Sequence, residues 1–174
     1  MPRYNFHVNQ RTVTVESWDP GQPLLYVLRN SLGLHAAKFG CGLGQCGACS
    51  ILIDGKVARS CQTSVKQAAG RSITTLEGLG TPEKPDPIQA AFMAEQAAQC
   101  GYCTNGMIMA AKSLLTQTPH PTLESIKRAL DGNLCRCGTY TRILSAVLRS
   151  DGRNEGQLAN NAEGDMHTAH AATA

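Results

Sequence analysis

Between Arg3 and Glu16 the chain alternates, with Tyr4, Phe6 and Val8 apolar against polar neighbours and Val13 and Val15 resuming the alternation after Asn9-Gln10. A period of two with turn-forming residues in its middle predicts a β-hairpin with one buried face. From Pro23, a residue that can open a helix, Leu24, Leu25, Val27, Leu28 and Leu32 recur at helical spacing and Gly33 follows as a stop. This helix is expected to pack on the hairpin. The stretch from Phe39 to Cys49 carries Gly40, Gly42, Gly44 and Gly47, which is incompatible with a regular helix and reads as a loop wrapped round something. Ser50 to Ile53 forms the next strand, Asp54-Gly55 its turn, and the return strand runs from Val57-Ala58 to Cys61. One more short strand is expected at Ile73-Thr74-Thr75.

The segment from Gly78 to Pro87 concentrates turn residues, and the alternation of period two disappears after it. The boundary between two domains is therefore placed there, giving a first domain over 1–79, a linker over 80–86 and a second domain over 87–150. Asp86 with Pro87 forms an N-cap and first-turn pair for a helix through Ile88, Ala91, Phe92 and Ala98. Thr104 is read as the cap of a second helix carrying Met107, Ile108, Ala111, Leu114 and Leu115, which Pro119 and Pro121 end. Thr122 starts a third through Ile126 and Leu130, and Tyr140 to Leu148 supplies a fourth. The second half thus reads as a small four-helix bundle. Beyond Arg149 large apolar residues are almost absent, so 151–174 is read as a disordered polar tail in which His167 and His170 are solvated.

With 174 residues the chain has room for one ordinary domain or two small ones. No apolar run approaches the roughly 20 residues of a membrane span. A net charge of +3, with scattered Lys and Arg and few aromatics, excludes a nucleic-acid surface. The N-terminal residues lack the apolar stretch of a secretory signal, which points to a cytoplasmic, reducing compartment. The eight cysteines then suggest metal; a disulfide framework suits shorter, secreted chains.

Cys41, Cys46 and Cys49 follow C-x4-C-x2-C, and Cys61 comes after eleven intervening residues. This is the plant-type ferredoxin spacing for a 2Fe-2S cluster. The glycines let three thiolates and several backbone N–H groups converge on one negative group. Asp54-Gly55 reverses the chain and returns Cys61 to the loop. The other four are Cys100-x2-Cys103 and Cys135-x-Cys137, separated by thirty-one residues. Zinc also takes four cysteines in paired spacings, so this second spacing by itself leaves both metals open, and the first set tips the choice toward a second 2Fe-2S cluster. Gly42-x-Gly44-x-x-Gly47 matches a dinucleotide fingerprint only formally, because no clear strand precedes it and no helix opens on it. Cys100-Gly101-Tyr102-Cys103 lacks the βαβ context of a thioredoxin-type pair.

The runs KFGCGLGQCGACSILIDG (Lys38 to Gly55), AAQCGYCTNGMIM (Ala97 to Met109) and NLCRCGTY (Asn133 to Tyr140) together resemble the small iron-sulfur subunits of molybdenum hydroxylases of the xanthine oxidase family. Among these, the small subunits of bacterial nicotinate, isoquinoline and aldehyde oxidoreductases look most similar. The resemblance covers about residues 1 to 150. It implies an α+β protein with an N-terminal β-grasp, ferredoxin-like 2Fe-2S domain and a C-terminal four-helix 2Fe-2S-binding domain. The first cluster would use Cys41, Cys46, Cys49 and Cys61, and the second Cys100, Cys103, Cys135 and Cys137. Gln99 would contact the molybdopterin held by a large catalytic subunit. The role implied is electron transfer without a catalytic residue: a molybdenum centre oxidises an N-heteroaromatic compound or an aldehyde with water as oxygen donor, and the two clusters pass the electrons to a flavin subunit, a cytochrome or another acceptor. A free-standing ferredoxin or a zinc-stabilised interaction module is the alternative of a different class. The turn at Asn9-Gln10, without the usual glycine, and the polar tail depart from the family pattern, and neither touches a ligand position.

Overall fold

The computed structural model describes residues 1–152. The hairpin expected at the start consists of β1 (Arg3–Val8) and β2 (Arg11–Glu16), antiparallel, with Phe6, Val8 and Val15 buried. Its turn places Asn9 and Gln10 at φ 48° and 66°. The Asn9 side chain accepts from Thr75 N at 2.9 Å and donates to Thr75 Oγ1 at 3.0 Å. Asparagine is among the residues that tolerate this conformation, and here its amide also ties the turn to the end of the sheet. A short helix α1 (Leu24–Tyr26) follows and widens into a π-helical stretch over Val27–Ser31, where Leu32 N bonds to Val27 O at 3.1 Å. The apolar spacing read as one ordinary helix is therefore met with wider winding, which still buries Leu24, Leu25, Val27 and Leu28.

Strands β3 (Ser50–Ile53) and β4 (Lys56–Arg59) form the second hairpin, and β5 (Ser72–Thr74) completes a five-stranded sheet of order β2-β1-β5-β3-β4. β5 runs parallel to β1 and antiparallel to β3. A one-turn helix α2 (Val65–Ala68) precedes β5, with a reciprocal capping box between Ser64 and Gln67. β3 is buried along its whole length, because one face meets the first core of Phe6, Leu24, Ile51 and Ile73 while the other meets a helix of the second half. A continuous apolar run is what such a two-sided strand requires.

The second half packs four helices: α3 (Pro87–Ala94), α4 (Thr104–Gln117), α5 (Leu123–Leu130) and α6 (Tyr140–Ser150). Asp86 caps α3 as expected, pairs with Gln89 in a capping box and takes a 2.6 Å ion pair from Lys112. Two expectations need correction. α3 stops at Ala94 and does not reach Ala98, since Gln96 turns left-handed at φ 49° and Ala97 N closes back on Phe92 O at 2.9 Å. Cys103, not Thr104, is the N-cap of α4; Thr104 is its first helical residue, with a buried hydroxyl that has no partner among the described residues. Thr122 does cap α5. Phe92, Met107, Ile108, Ile126, Ile143 and Val147 form the bundle core, on which Leu76 and Leu79 also pack. No helix among the described residues is long and apolar enough to cross a membrane. Asp151 and Gly152 finish the last turn of α6; the rest of the segment read as a polar tail, with His167 and His170, lies outside the described residues.

The two halves join where α4 crosses β3 and β4. The Asn105 amide donates to Ala48 O at 3.0 Å and to Ser50 O at 2.9 Å, and Ser113 Oγ accepts from Val57 N at 3.1 Å. Backbone meets backbone at Gly106, where a Cβ would stand far inside contact distance of the Gly47 carbonyl oxygen. Both groups are backbone, so a side chain at Gly106 displaces one half from the other. Gly106→Ala is expected to lower unfolding stability by about 1–3 kcal/mol, the usual cost of overpacking a close contact. A denaturant midpoint equal to that of the unchanged chain would contradict this reading of the junction.

Candidate metal centres

The loop from Gly40 to Cys49 turns its backbone N–H groups inward. Cys41 Sγ accepts from Leu43 N and Gln45 N at 3.3 Å and from Cys46 N at 3.4 Å, while Cys46 Sγ accepts from Cys41 N at 3.3 Å. Gly42, Gly44 and Gly47 all have positive φ, which aims successive amides at one point and explains why the formal dinucleotide match opens no helix. The N–H groups of Leu43 and Cys46 draw the Cys41 thiol down to about 6. Deeper in, the Cys49 and Cys61 sulfurs lie 3.3 Å apart and both residues are buried. Burial pushes Cys49 up to about 11, against the opposing Cys61 N–H and the Arg59 charge. The β3–β4 hairpin does return Cys61 to the loop, and Gln62 Nε2 and Arg59 Nε hold the loop by Gly42 O at 2.6 Å and Gly44 O at 3.2 Å.

The second set converges from two stretches. Cys100 is exposed on a bend, Cys103 caps α4, and Cys135 and Cys137 occupy the loop before α6. The Cys100 thiol interacts with that of Cys137, and Cys103 with Cys135. Burial pushes Cys103 up to about 12. At Cys135 burial acts against ionisation, yet the Thr139 hydroxyl and N–H and the neighbouring Cys103 bring the thiol down to about 7. Cys100 is lowered by the Tyr102 N–H and by Cys137. The N-termini of α4 and α6 both begin at this set, neither is capped by a side chain, and the helix starts carry partial positive charge suited to an anionic group.

The sulfurs come in twos: Cys41 with Cys46, Cys49 with Cys61, Cys100 with Cys137 and Cys103 with Cys135. Two thiolates for each of two irons is the demand of a 2Fe-2S cluster, and both sets fit it. The sets are neighbours. A cavity of about 370 Å³ is lined by Cys41 and Cys46 on one side and by Cys100 and Cys103 on the other, with Tyr102 and Leu134 between. Leu134 N, adjacent to Cys135, donates to Cys46 O at 3.0 Å, and the Tyr102 hydroxyl donates to Phe39 O.

Gln99 is exposed in the bend before Cys100, well past the end of α3, and its side-chain amide has no partner among the described residues. Tyr140, which by sequence alone reads as a packing or surface residue, places its hydroxyl to accept from Cys135 N at 2.7 Å. Arg59, outside the three quoted runs, and Asn105, inside the second of them but given no role there, tie the two halves together. The spacing Cys135-x4-Tyr140 gives no signal for such a contact by itself. Tyr140→Phe leaves the Cys135 N–H without that acceptor, a loss of about 1–3 kcal/mol where the donor stays buried. The variant is expected to release metal from the second site faster under chelator challenge while the first site is unaffected; equal release from both sites would show the bond to be dispensable.

The family described as 2Fe-2S iron-sulfur cluster binding domain matches residues 6–73, and the family described as 2Fe-2S binding domain matches residues 75–148. A nicotinate dehydrogenase subunit of Pseudomonas putida is 56% identical over 84% of this chain and 92% of its own length. The alpha subunit of isoquinoline 1-oxidoreductase from Brevundimonas diminuta is 50% identical over 83% of this chain and 95% of its own. Among solved structures, the aldehyde oxidoreductase from Desulfovibrio desulfuricans superposes with a TM-score of 0.83 at 39% identity, over 87% of this chain and 17% of that longer one. The chain belongs to the small iron-sulfur subunits of the molybdenum hydroxylases, whose two domains are a ferredoxin-like and a helical 2Fe-2S-binding unit.

Proposed function

We propose that this chain carries electrons from a molybdopterin centre, held by a large partner subunit, to an external acceptor, in an enzyme that oxidises an N-heteroaromatic compound or an aldehyde with water as oxygen donor. The substrate class follows the relatives, which are named for nicotinate, isoquinoline and aldehydes. Cys41, Cys46, Cys49 and Cys61 would hold the first cluster, and Cys100, Cys103, Cys135 and Cys137 the second. When bound, 2Fe-2S clusters supply one-electron chemistry, so the electron pair released by a hydroxylation leaves in single steps. The observation that carries the reading is the 3.0 Å hydrogen bond from Leu134 N to Cys46 O, which joins the residue beside one thiol set directly to a member of the other. Around it the chain's own groups hold negative charge: the amides of Leu43, Gln45 and Cys46 at the first site, the helix starts at the second.

The exposed Gln99 amide lies beside exposed Cys100, which suits it to meet a pterin edge that both donates and accepts hydrogen bonds. That end of the helical unit would face the large subunit, and the opposite cluster would serve a flavin subunit or a cytochrome. The division into 1–79, a linker over 80–86 and 87–150 belongs to the same reading, and so does a cytoplasmic location, where thiols stay reduced.

The chain purified with its partner should contain about four irons and four inorganic sulfides, as two 2Fe-2S clusters require. Cys46→Ser should remove the first site's reduced EPR signal alone and Cys103→Ser the second's alone; zinc in place of half the iron, or loss of both signals in a folded single variant, would sink the ligand assignment. Gln99→Leu keeps the bulk and loses the hydrogen bonds, at a cost of roughly 1–3 kcal/mol where a partner is left unpaired. Substrate-driven cluster reduction should then slow, or cofactor retention fall, in an assembled complex that still holds both clusters. Unchanged kinetics and molybdenum content would return Gln99 to a solvated loop residue.

A further inference from the structure

Arg59 reaches from β4 into both cysteine loops. It leaves β4 two residues before Cys61, and its Nε donates to Gly44 O at 3.2 Å, inside the loop between Cys41 and Cys46. One arm of the guanidinium donates to Ser50 Oγ and, at 3.3 Å, to Asn133 Oδ1; the other donates to Gly132 O at 2.7 Å. The fork thus spans the junction and ends two residues before Cys135. No carboxylate pairs with it among the described residues: each of its partners is a neutral carbonyl, hydroxyl or amide oxygen. A half-buried cation without a counter-ion keeps its field for whatever negative charge develops nearby. Its stem and its Nε contact lie within the first domain.

We infer that Arg59 is a positioning residue for electron transfer, one that clamps the two cysteine loops together and whose positive charge biases an electron toward the first cluster. This rests on the ligand assignment proposed above. The exchange concerned is one electron leaving the second site and arriving at the first: one iron there passes from ferric to ferrous as one at the second site passes from ferrous to ferric, with no atom or proton moved. A 2Fe-2S site becomes more negative by one unit on reduction, and nearby positive charge, like hydrogen bonds to the sulfurs, favours the reduced form. Arg59 is covalently rooted beside the first site and touches the second only through the tips of its fork, so its field favours the first. Arg136 lines the cavity between the two sets and Lys38 lies three residues before Cys41, and since both charges are unchanged in the Arg59 variants, the variants read the contribution of Arg59 alone.

The test uses the full chain with both clusters bound, reduced by dithionite to one electron per chain, with the two EPR signals assigned from Cys46→Ser and Cys103→Ser. Arg59→Gln removes the charge and is expected to shift the distribution of that electron toward the second site by about tenfold, equivalent to about 59 mV for a one-electron couple. Arg59→Lys keeps the charge and loses the fork; its distribution should remain near that of the unchanged chain even though its unfolding midpoint falls. Two intact signals with an unmoved ratio in Arg59→Gln, or a lysine variant that shifts as far as glutamine, would reduce Arg59 to a clamp and overturn the bias while leaving the ligand assignment standing. Loss of iron-sulfur signals from the unchanged chain would instead strike the ligand assignment. Should Arg59→Gln fail to keep its clusters, the lysine variant decides alone: a preserved ratio supports the charge and a collapsed one refutes it.

Discussion

The backbone contact between the two halves, the first helical turn of α4 against the carbonyl of Gly47, constrains nearly everything else in the molecule. Gly47 lies between Cys46 and Cys49, and Gly106 follows Cys103 by three residues. The contact therefore sets the distance between the thiol sets directly, without an intervening linker. A side chain at either position would meet backbone or the Asn133 amide well inside contact distance. Asn105, between Thr104 and Gly106, turns its amide to the carbonyls of Ala48 and Ser50 and so fixes the rotation of α4 as well as its height. A sheet strand buried on both faces follows from this, since β3 serves as floor for the first core and as seat for α4.

The second constraint is electrostatic. A cluster with four thiolates is an anion placed in a protein interior, and each half answers it differently. The first uses a glycine-rich loop, in which positive φ points consecutive N–H groups at one sulfur. The second places the starts of α4 and α6 at the cysteines, so their helix dipoles supply the same polarity. That difference explains why the first set is dense in glycine and the second is not. Each set combines thiols lowered by hydrogen bonds with one raised by burial: Cys41 against Cys49 in the first, and Cys100 and Cys135 against Cys103 in the second. Metal binding, which needs all of them deprotonated, must supply the energy to ionise the buried members.

Much of this was legible in the sequence because the signals are local. Alternation at Tyr4, Phe6 and Val8, the Asp54-Gly55 turn, and the Asp86-Pro87 helix start each depend on a few adjacent residues, and each appears where expected. The errors arose where a tertiary contact outweighed local preference. Helical spacing from Leu24 cannot distinguish α from π winding, and the choice is made by how Val27 and Leu28 fit the core. α3 stops short of Ala98 because Gln96 takes a left-handed conformation that its side chain does not advertise. Thr104 has the composition of a cap, yet Cys103 occupies that place. The roles of Arg59, Asn105 and Tyr140 were invisible for a different reason: their partners stand 73, 57 and 5 residues away and are mostly backbone groups, which leave no mark on composition.

The residues that bridge the two loops are neighbours of the ligands themselves: Leu134 precedes Cys135, Tyr102 precedes Cys103, and Arg59 lies two before Cys61. The loops have little apolar burial of their own, with Leu43, Tyr102 and Leu134 exposed, so their conformations depend on the hydrogen bonds they make to each other. A first loop held in this conformation presents Cys46 O and Gly44 O where Leu134 N and Arg59 meet them, which lowers the entropic cost of ordering the second. By linkage the second loop returns the same free energy to the first. A single chain with two thiol sets therefore achieves what two separate domains would not: the contacts that order one cysteine loop also hold the other against it.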